Sequence, residues 1–171
     1  MTLSKFMKPR PGADLQIVSF PSHSFSPKDL SNLLNDFWRM EKWKPDLIVS
    51  DYMDIMAAIN PKFDFRHQEN EKWSMMRGIG TTWDCGILTG TQGTKATYTK
   101  DIIEQGDLSE DKRKLSHVTE AYGLNQNMEE KKAGIMRISC IAARDMDFDV
   151  YATVKILQSI KTGRPVLESF F

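Results

Sequence analysis

Pro45-Asp46-Leu47-Ile48-Val49-Ser50-Asp51-Tyr52 is the stretch on which the fold turns. After the break at Pro45, a short run suited to a buried strand delivers a carboxylate, Asp51, to the strand's carboxyl end. Ligands of open α/β sheets bind at that end. A carboxylate there can hold the hydration shell of Mg²⁺ on a nucleotide. The structural alternative is a buried strand whose final aspartate caps a turn, and the pattern alone leaves both open.

Working outward, residues 15–19 read as a short strand before Pro21. Ser26-Pro27-Lys28-Asp29 is a helix start: a serine cap, a proline at the first helical position and an acid three residues after the cap. Leu30, Leu33, Leu34, Phe37 and Trp38 follow at helical spacing. Residues 55–70 look like a loop, and the spacing of Trp73, Met76, Ile79 and Trp83 predicts a helix over about 68–83, weakened by Gly78 and Gly80. A second strand, Gly86 to Gln92, ends on polar residues; 93–110 is a polar loop. A short helix at about 109–118 precedes a third strand over Ala121–Gln126. After the charged run 129–132, two long strands, 135–143 and 151–159, flank the acidic turn Arg144-Asp145-Met146-Asp147. Gly163-Arg164-Pro165 breaks the chain before a short tail. Strand, helix, strand, helix, strand and hairpin together imply an α/β domain: a mostly parallel sheet flanked by helices, with an antiparallel C-terminal hairpin.

The 171 residues fit one domain, since domains run most often to roughly 100–150 residues. Lys plus Arg, 23, equals Asp plus Glu, 23, so no global positive field advertises nucleic acid, and any contact with DNA would come from local loops. Two cysteines without C-x-x-C spacing and three scattered histidines give no zinc pattern and no disulfide framework. No stretch approaches the roughly 20 apolar residues of a membrane helix. A cytoplasmic protein with no membrane partner is expected.

The order of the short motifs then becomes specific. Asp46-Leu-Ile-Val-Ser-Asp-Tyr-Met resembles the Walker B strand of DnaB-type replicative helicases, whose ATPase core is RecA-like. Gly90-Thr91-Gln92 is similar to the Ser/Thr-Gln that ends the next core strand, and Ala121–Gln126 resembles the strand after it. Arg137–Arg144 resembles the strand ending in Lys-x-Arg, and Ser109–His117 looks like phage and prophage members. The likeness runs from about residue 15 onward. It implies Asp51 as the Walker B carboxylate, binding Mg²⁺ through water, and Gln92 as the sensor of the γ-phosphate. It implies Arg144 as an arginine finger that reaches the neighbouring subunit's site in a hexameric ring. Loops near 57–70 and 93–108 would face single-stranded DNA, with Lys95 and Lys100 able to touch phosphate. ATP and Mg²⁺ are the implied cofactors. Each residue has a plainer alternative: an amide satisfying backbone for Gln92, an ion pair with Asp145 or Asp147 for Arg144, solvated loop lysines for Lys95 and Lys100.

Two departures stand out. The family's Lys-x-Arg is Ala142-Ala143-Arg144 here, and no G-x-x-x-x-G-K-[ST] phosphate loop occurs. Gly90-Thr-Gln-Gly93-Thr94-Lys95 has the wrong spacing and is a decoy. The phosphate loop and catalytic glutamate would precede residue 1, so residues 1–171 read as a single partial RecA-like domain, inactive in ATP hydrolysis alone. The chain is either a piece of a longer ATPase or a degenerate gene product. A RecA-type DNA repair ATPase is a close variant. A non-catalytic assembly module, capping or joining a complete ATPase, is the alternative from another class.

Overall fold

The computed structural model describes residues 14–171 apart from 95, 96, 98, 99 and 108–111, with backbone alone for Lys112 and Arg113. Helix α1, Pro27–Glu41, begins as the sequence reading requires. Ser26 Oγ accepts from Asp29 N at 3.3 Å, and the Asp29 carboxylate accepts from Ser26 N at 2.8 Å, closing a capping box. Leu30 and Leu34 turn inward. Strand β1, Leu47–Ser50, pairs in parallel with β2, Gly86–Thr89, in the register Ile48 to Ile87. Parallel neighbours need a long crossover, supplied by α2, Phe65–Trp83.

Helix α2 starts three residues earlier than expected because Asp64 caps it, accepting from His67 N at 3.1 Å. The first turn of α2 therefore occupies part of the stretch read as a DNA-facing loop. Gly80 does not break the helix. A Cβ there would meet the Cys85 carbonyl at 3.2 Å and the Ile87 side chain at 3.3 Å, so the glycine admits β2 closely.

Strand β3, Glu120–Asn125, runs antiparallel to β4, Ile135–Ala143. The connection 126–134 is too short for a parallel crossover and holds only α3, Met128–Ala133, capped by Asn127. Strand β5, Thr153–Ser159, follows β4 in the expected hairpin, although the joining segment extends to residue 152. The tail after Gly163 is a further strand, β6, Arg164–Phe170, paired with β5. Gly163 makes this turn with a positive φ of 68°, and Pro165 is tolerated because β6 is an edge. The α/β class holds, with a two-stranded parallel sheet and a four-stranded antiparallel sheet in the order β3-β4-β5-β6.

Residues 15–19 lie outside both sheets, and Leu15, Ile17 and Val18 are exposed; a strand requires a partner edge, and none among the described residues reaches them. The core packs α1 and α2 over one face of β1 and β2, from Leu30, Leu34, Met53, Met56, Trp73, Met76 and Ile79. Trp43 and Trp83 pack against it, whereas Trp38 lies 47% exposed with Lys42 over its ring. Strand β1 is thus buried on one side only: Leu47 and Val49 are bare on the other. Met53 is fully buried, so Met53→Ala is expected to cost about 2–5 kcal/mol in urea unfolding. Val49→Thr should stay within about 1 kcal/mol, because its side chain leaves water only slightly on folding.

Candidate functional site

Because β1 and β2 are parallel, their carboxyl ends open on the same side of the domain. Thr89 fastens them together. Its hydroxyl donates to Ser50 O at 2.9 Å and accepts from Met53 N at 3.1 Å. The chain leaves β1 through Asp51 and a cis Asp51–Tyr52 peptide, then makes a 3₁₀ turn over Met53–Ile55. The Asp51 carboxylate is exposed and meets no hydrogen-bond partner among the described residues. Gln92, just past β2, reaches across from the other strand: its Nε2 donates to the Tyr52 hydroxyl at 3.0 Å. Asp51 and Gln92 therefore stand just past the carboxyl ends of adjacent strands, with Tyr52 between them.

The residue that organises these strand ends is Asp54. One carboxylate oxygen accepts from the Thr91 hydroxyl at 2.8 Å and from Gln92 N at 3.2 Å; the other accepts from Lys114 Nζ at 2.8 Å. Lys114 Nζ also donates to Thr91 Oγ1 at 3.1 Å and lies 3.9 Å from Glu69 and 5.8 Å from the Trp73 ring. Glu69 pairs with Lys72 at 2.6 Å, and Lys72 donates to the Met56 carbonyl at 3.2 Å. Glu69, Lys72 and Lys114 are all buried. Two carboxylates and two ammonium groups thus form a charge-balanced cluster beneath the strand ends. Burial pushes the Asp54 carboxyl up, but the hydrogen bonds from Lys114 and Thr91 outweigh it and hold it below the usual carboxylate range.

The remaining residues anticipated from the sequence sit further out. Lys100 is bound to Asp107, 2.7 Å from one carboxylate oxygen, and the buried Asp107 also accepts from Glu104 N at 2.9 Å. That pairing raises the Lys100 ammonium pKa. Lys95 lies outside the described residues. Arg144 is exposed and turns back on its own chain, donating from Nε to Val118 O at 2.8 Å and from its terminal nitrogen to Ser116 O. Its partners are these carbonyls, not Asp145 or Asp147. Among the described residues no group of three or more His, Cys, Asp or Glu could hold a metal ion. Asp54, Glu69, Lys72 and Lys114 were missed by the sequence reading.

Between the edge of β2 and that of β3 lies a cavity of about 880 Å³, lined by Leu88, Thr91, Gln92, Tyr122, Leu124 and Gln126 among others. Beyond the β1–β2 pairing, β2 has no second neighbour among the described residues, and β3 pairs only with β4.

An open α/β domain with polar side chains clustered at the carboxyl ends of adjacent parallel strands is the class this geometry defines. Comparison with solved structures makes that class narrower. One solved ATPase domain superposes with a TM-score of 0.71 over 84% of this chain and 52% of that one, at 14% identity. A DnaB-like replicative helicase, from a structure that also concerns its interactions with primase, superposes with a TM-score of 0.68 over 79% of this chain and 34% of that one, at 13% identity. The chain thus spans about half and about a third of these two. No protein-family model and no curated protein matches the sequence. The fold is that of the RecA-like ATPase domains of DnaB-type helicases. No helix among the described residues is long and apolar enough to cross a membrane.

Removing one partner of the buried Glu69–Lys72 pair should be costly, because it strands a charge away from water. Lys72→Met is expected to lose about 3–5 kcal/mol in urea unfolding, and Glu69→Met with Lys72→Met together much less than the sum of the singles. Additive losses would show that the two groups do not compensate each other. A carboxyl with a lowered folded-state pKa contributes stability above its unfolded pKa and loses it as pH falls through the folded value. The advantage of wild type over Asp54→Asn should therefore be full at pH 7 and shrink below about pH 4. An advantage undiminished at pH 3 would contradict the ionised pair.

Proposed function

We propose that this chain forms the Walker B, sensor and arginine-finger side of a RecA-like ATPase core of the DnaB helicase type, a partial domain that works with a phosphate-binding part. The observation that carries this reading is the placement of Asp51 and Gln92 just past the carboxyl ends of two adjacent parallel strands, in a fold shared with helicase ATPase domains. Mg²⁺ and ATP are the cofactors of such a core. The residues here fit part of that load. Asp51 is an exposed carboxylate able to order water around Mg²⁺, and Gln92 offers both a donor and an acceptor. They do not supply the backbone amides and lysine that cradle β- and γ-phosphates. The cavity between β2 and β3 is where a further strand would complete the sheet, since neither edge pairs with another strand there among the described residues and both carry exposed apolar side chains.

In this reading Gln92 senses phosphate and relays it to the loop it introduces. Arg144 serves the neighbouring subunit's site in a ring-shaped homo-oligomer, where a guanidinium stabilises transition-state charge. Lys95 and the half-exposed Lys100 face single-stranded DNA. DNA replication is the process such a helicase serves. A non-catalytic assembly module is the second reading. It is favoured by Ala142 in place of the family's lysine and by the hold of Ser116 and Val118 on Arg144.

The chain alone, given Mg-ATP and single-stranded DNA, is expected to release phosphate no faster than Asp51→Ala. Joined to the phosphate-loop half of a DnaB-type core, it should hydrolyse ATP. Asp51→Ala should then remove about 10²-fold or more of the turnover, and Arg144→Ala about 10³-fold. Turnover by the isolated chain that depends on Asp51 would sink the split-site reading. A joined protein that assembles but stays inactive would favour the assembly module.

A further inference from the structure

The chain leaves β2 after Thr89, passes through Thr91 and Gln92, and comes back beside them in the 3₁₀ segment Lys112–His117 before β3. Lys114, on the returning arm, is 7% exposed, and its ammonium bonds Asp54 and Thr91. Asp54 in turn accepts from the Thr91 hydroxyl and from the Gln92 backbone amide. One ion pair thus closes the base of this loop and grips the two residues from which it departs. Its middle is fastened elsewhere. Ile103 N donates to Asn125 of β3 at 2.8 Å, Arg137 of β4 pairs with Asp101 at 2.7 Å, and Tyr151, in the β4–β5 connection, donates to Glu104 at 3.2 Å.

A buried ion pair gives little net stability, because desolvating the charges cancels most of their attraction. What it does give is geometry: the ammonium has only one place where its donors are satisfied. We infer that Lys114 is a positioning residue for Gln92, acting through Asp54 so that the returning arm of the loop fixes the Gln92 backbone from which the side chain reaches the Tyr52 hydroxyl. This assignment rests on the proposed role of Gln92 for its functional meaning, but not for its geometry. Displacing the 112–117 arm pulls Lys114 from Asp54. The Asp54 carboxylate then loses its counter-charge, and the Thr91 hydroxyl and the Gln92 backbone amide lose their fixed acceptor. Contact on the loop and contact at the strand ends become linked through a single side chain.

Amide hydrogen exchange on the full 171-residue chain tests this. In Lys114→Met and in Asp54→Asn, exchange at the Gln92 amide should rise about tenfold, the loss of roughly one net hydrogen bond, while β4 amides such as that of Ile138 stay as in wild type. Lys114→Arg, which keeps a charge and donors, should restore most of the protection. If Lys114→Met does not fold, Asp54→Asn has the shape of the native side chain and carries the test. Unchanged Gln92 exchange in the folded variants, or a rise spread equally over β4, would overturn the assignment. Oligothymidylate supplies a second arm. Bound to wild type, it should shift the Gln92 amide resonance, and in Lys114→Met it should bind without doing so. An equal shift in both proteins would break the link from loop to Gln92. Failure of oligothymidylate to bind wild type would count against the DNA reading, and the exchange result would decide the role of Lys114.

Discussion

Two ammonium groups and two carboxylates, from Asp54, Glu69, Lys72 and Lys114, share the space beneath the carboxyl ends of β1 and β2. Each would be costly to bury alone, and together they cancel in charge and satisfy most of one another's hydrogen bonds. The cluster draws on separate stretches of chain: the turn after β1, the first half of α2 and the segment before β3. Lys72 reaches the carbonyls of Met53 and Met56, so the turn that follows Asp51 hangs from α2. Lys114 holds the returning arm of the long loop against the same helix. The polar cluster, with the apolar core around Trp73 and Met76 beside it, therefore fixes the frame in which Asp51 and Gln92 stand.

The apolar side chains complete the picture by where they fail to be covered. Leu47, Val49 and Leu88 on the parallel sheet, and Tyr122 and Leu124 on β3, are all more than half exposed. Leu88, Tyr122 and Leu124 border one cavity. Scattered apolar residues on a surface mean little, but apolar residues from two strands around one slot form a contiguous uncovered patch. The four-stranded sheet is consequently joined to the rest by loop contacts more than by strand pairing. Arg137 with Asp101 and Asn125 with Ile103 do that work.

Much of this was legible in the sequence where local chemistry decides. Ser26, Pro27 and Asp29 marked the start of α1, and the apolar run after Pro45 marked β1. The signal failed where a partner was needed. Residues 15–19 have strand composition but find no edge, whereas the tail after Gly163, with Pro165, becomes an edge strand because β5 offers one. The buried cluster was missed because Glu69 and Lys72 look like an ordinary solvated helical pair. Helical spacing told otherwise: Glu69, Trp73 and Met76 share a stripe, and Lys72 borders it. Lys114 lay hidden in the run Asp111-Lys-Arg-Lys114, which reads as a solvated face. No local pattern marks Lys114 as a residue that turns inward.

The returning arm before β3 carries more than Lys114. The Ser116 carbonyl accepts from Arg144 and, at 3.3 Å, from Arg77 of α2, and the Val118 carbonyl accepts from Arg144 Nε. His117 faces Asn70 of α2 at 2.9 Å, and burial, with Arg77 and Arg144 nearby, lowers its pKa, favouring the neutral ring. Val118 packs against the core. Within a few residues, one segment thus touches the proposed sensor through Asp54 and the proposed finger through two carbonyls. A guanidinium that must reach a neighbouring subunit has to give up those carbonyls, and the arm then loses two of its anchors. The Lys114 contact and the two carbonyls that hold Arg144 thus lie within five residues of one another on one segment.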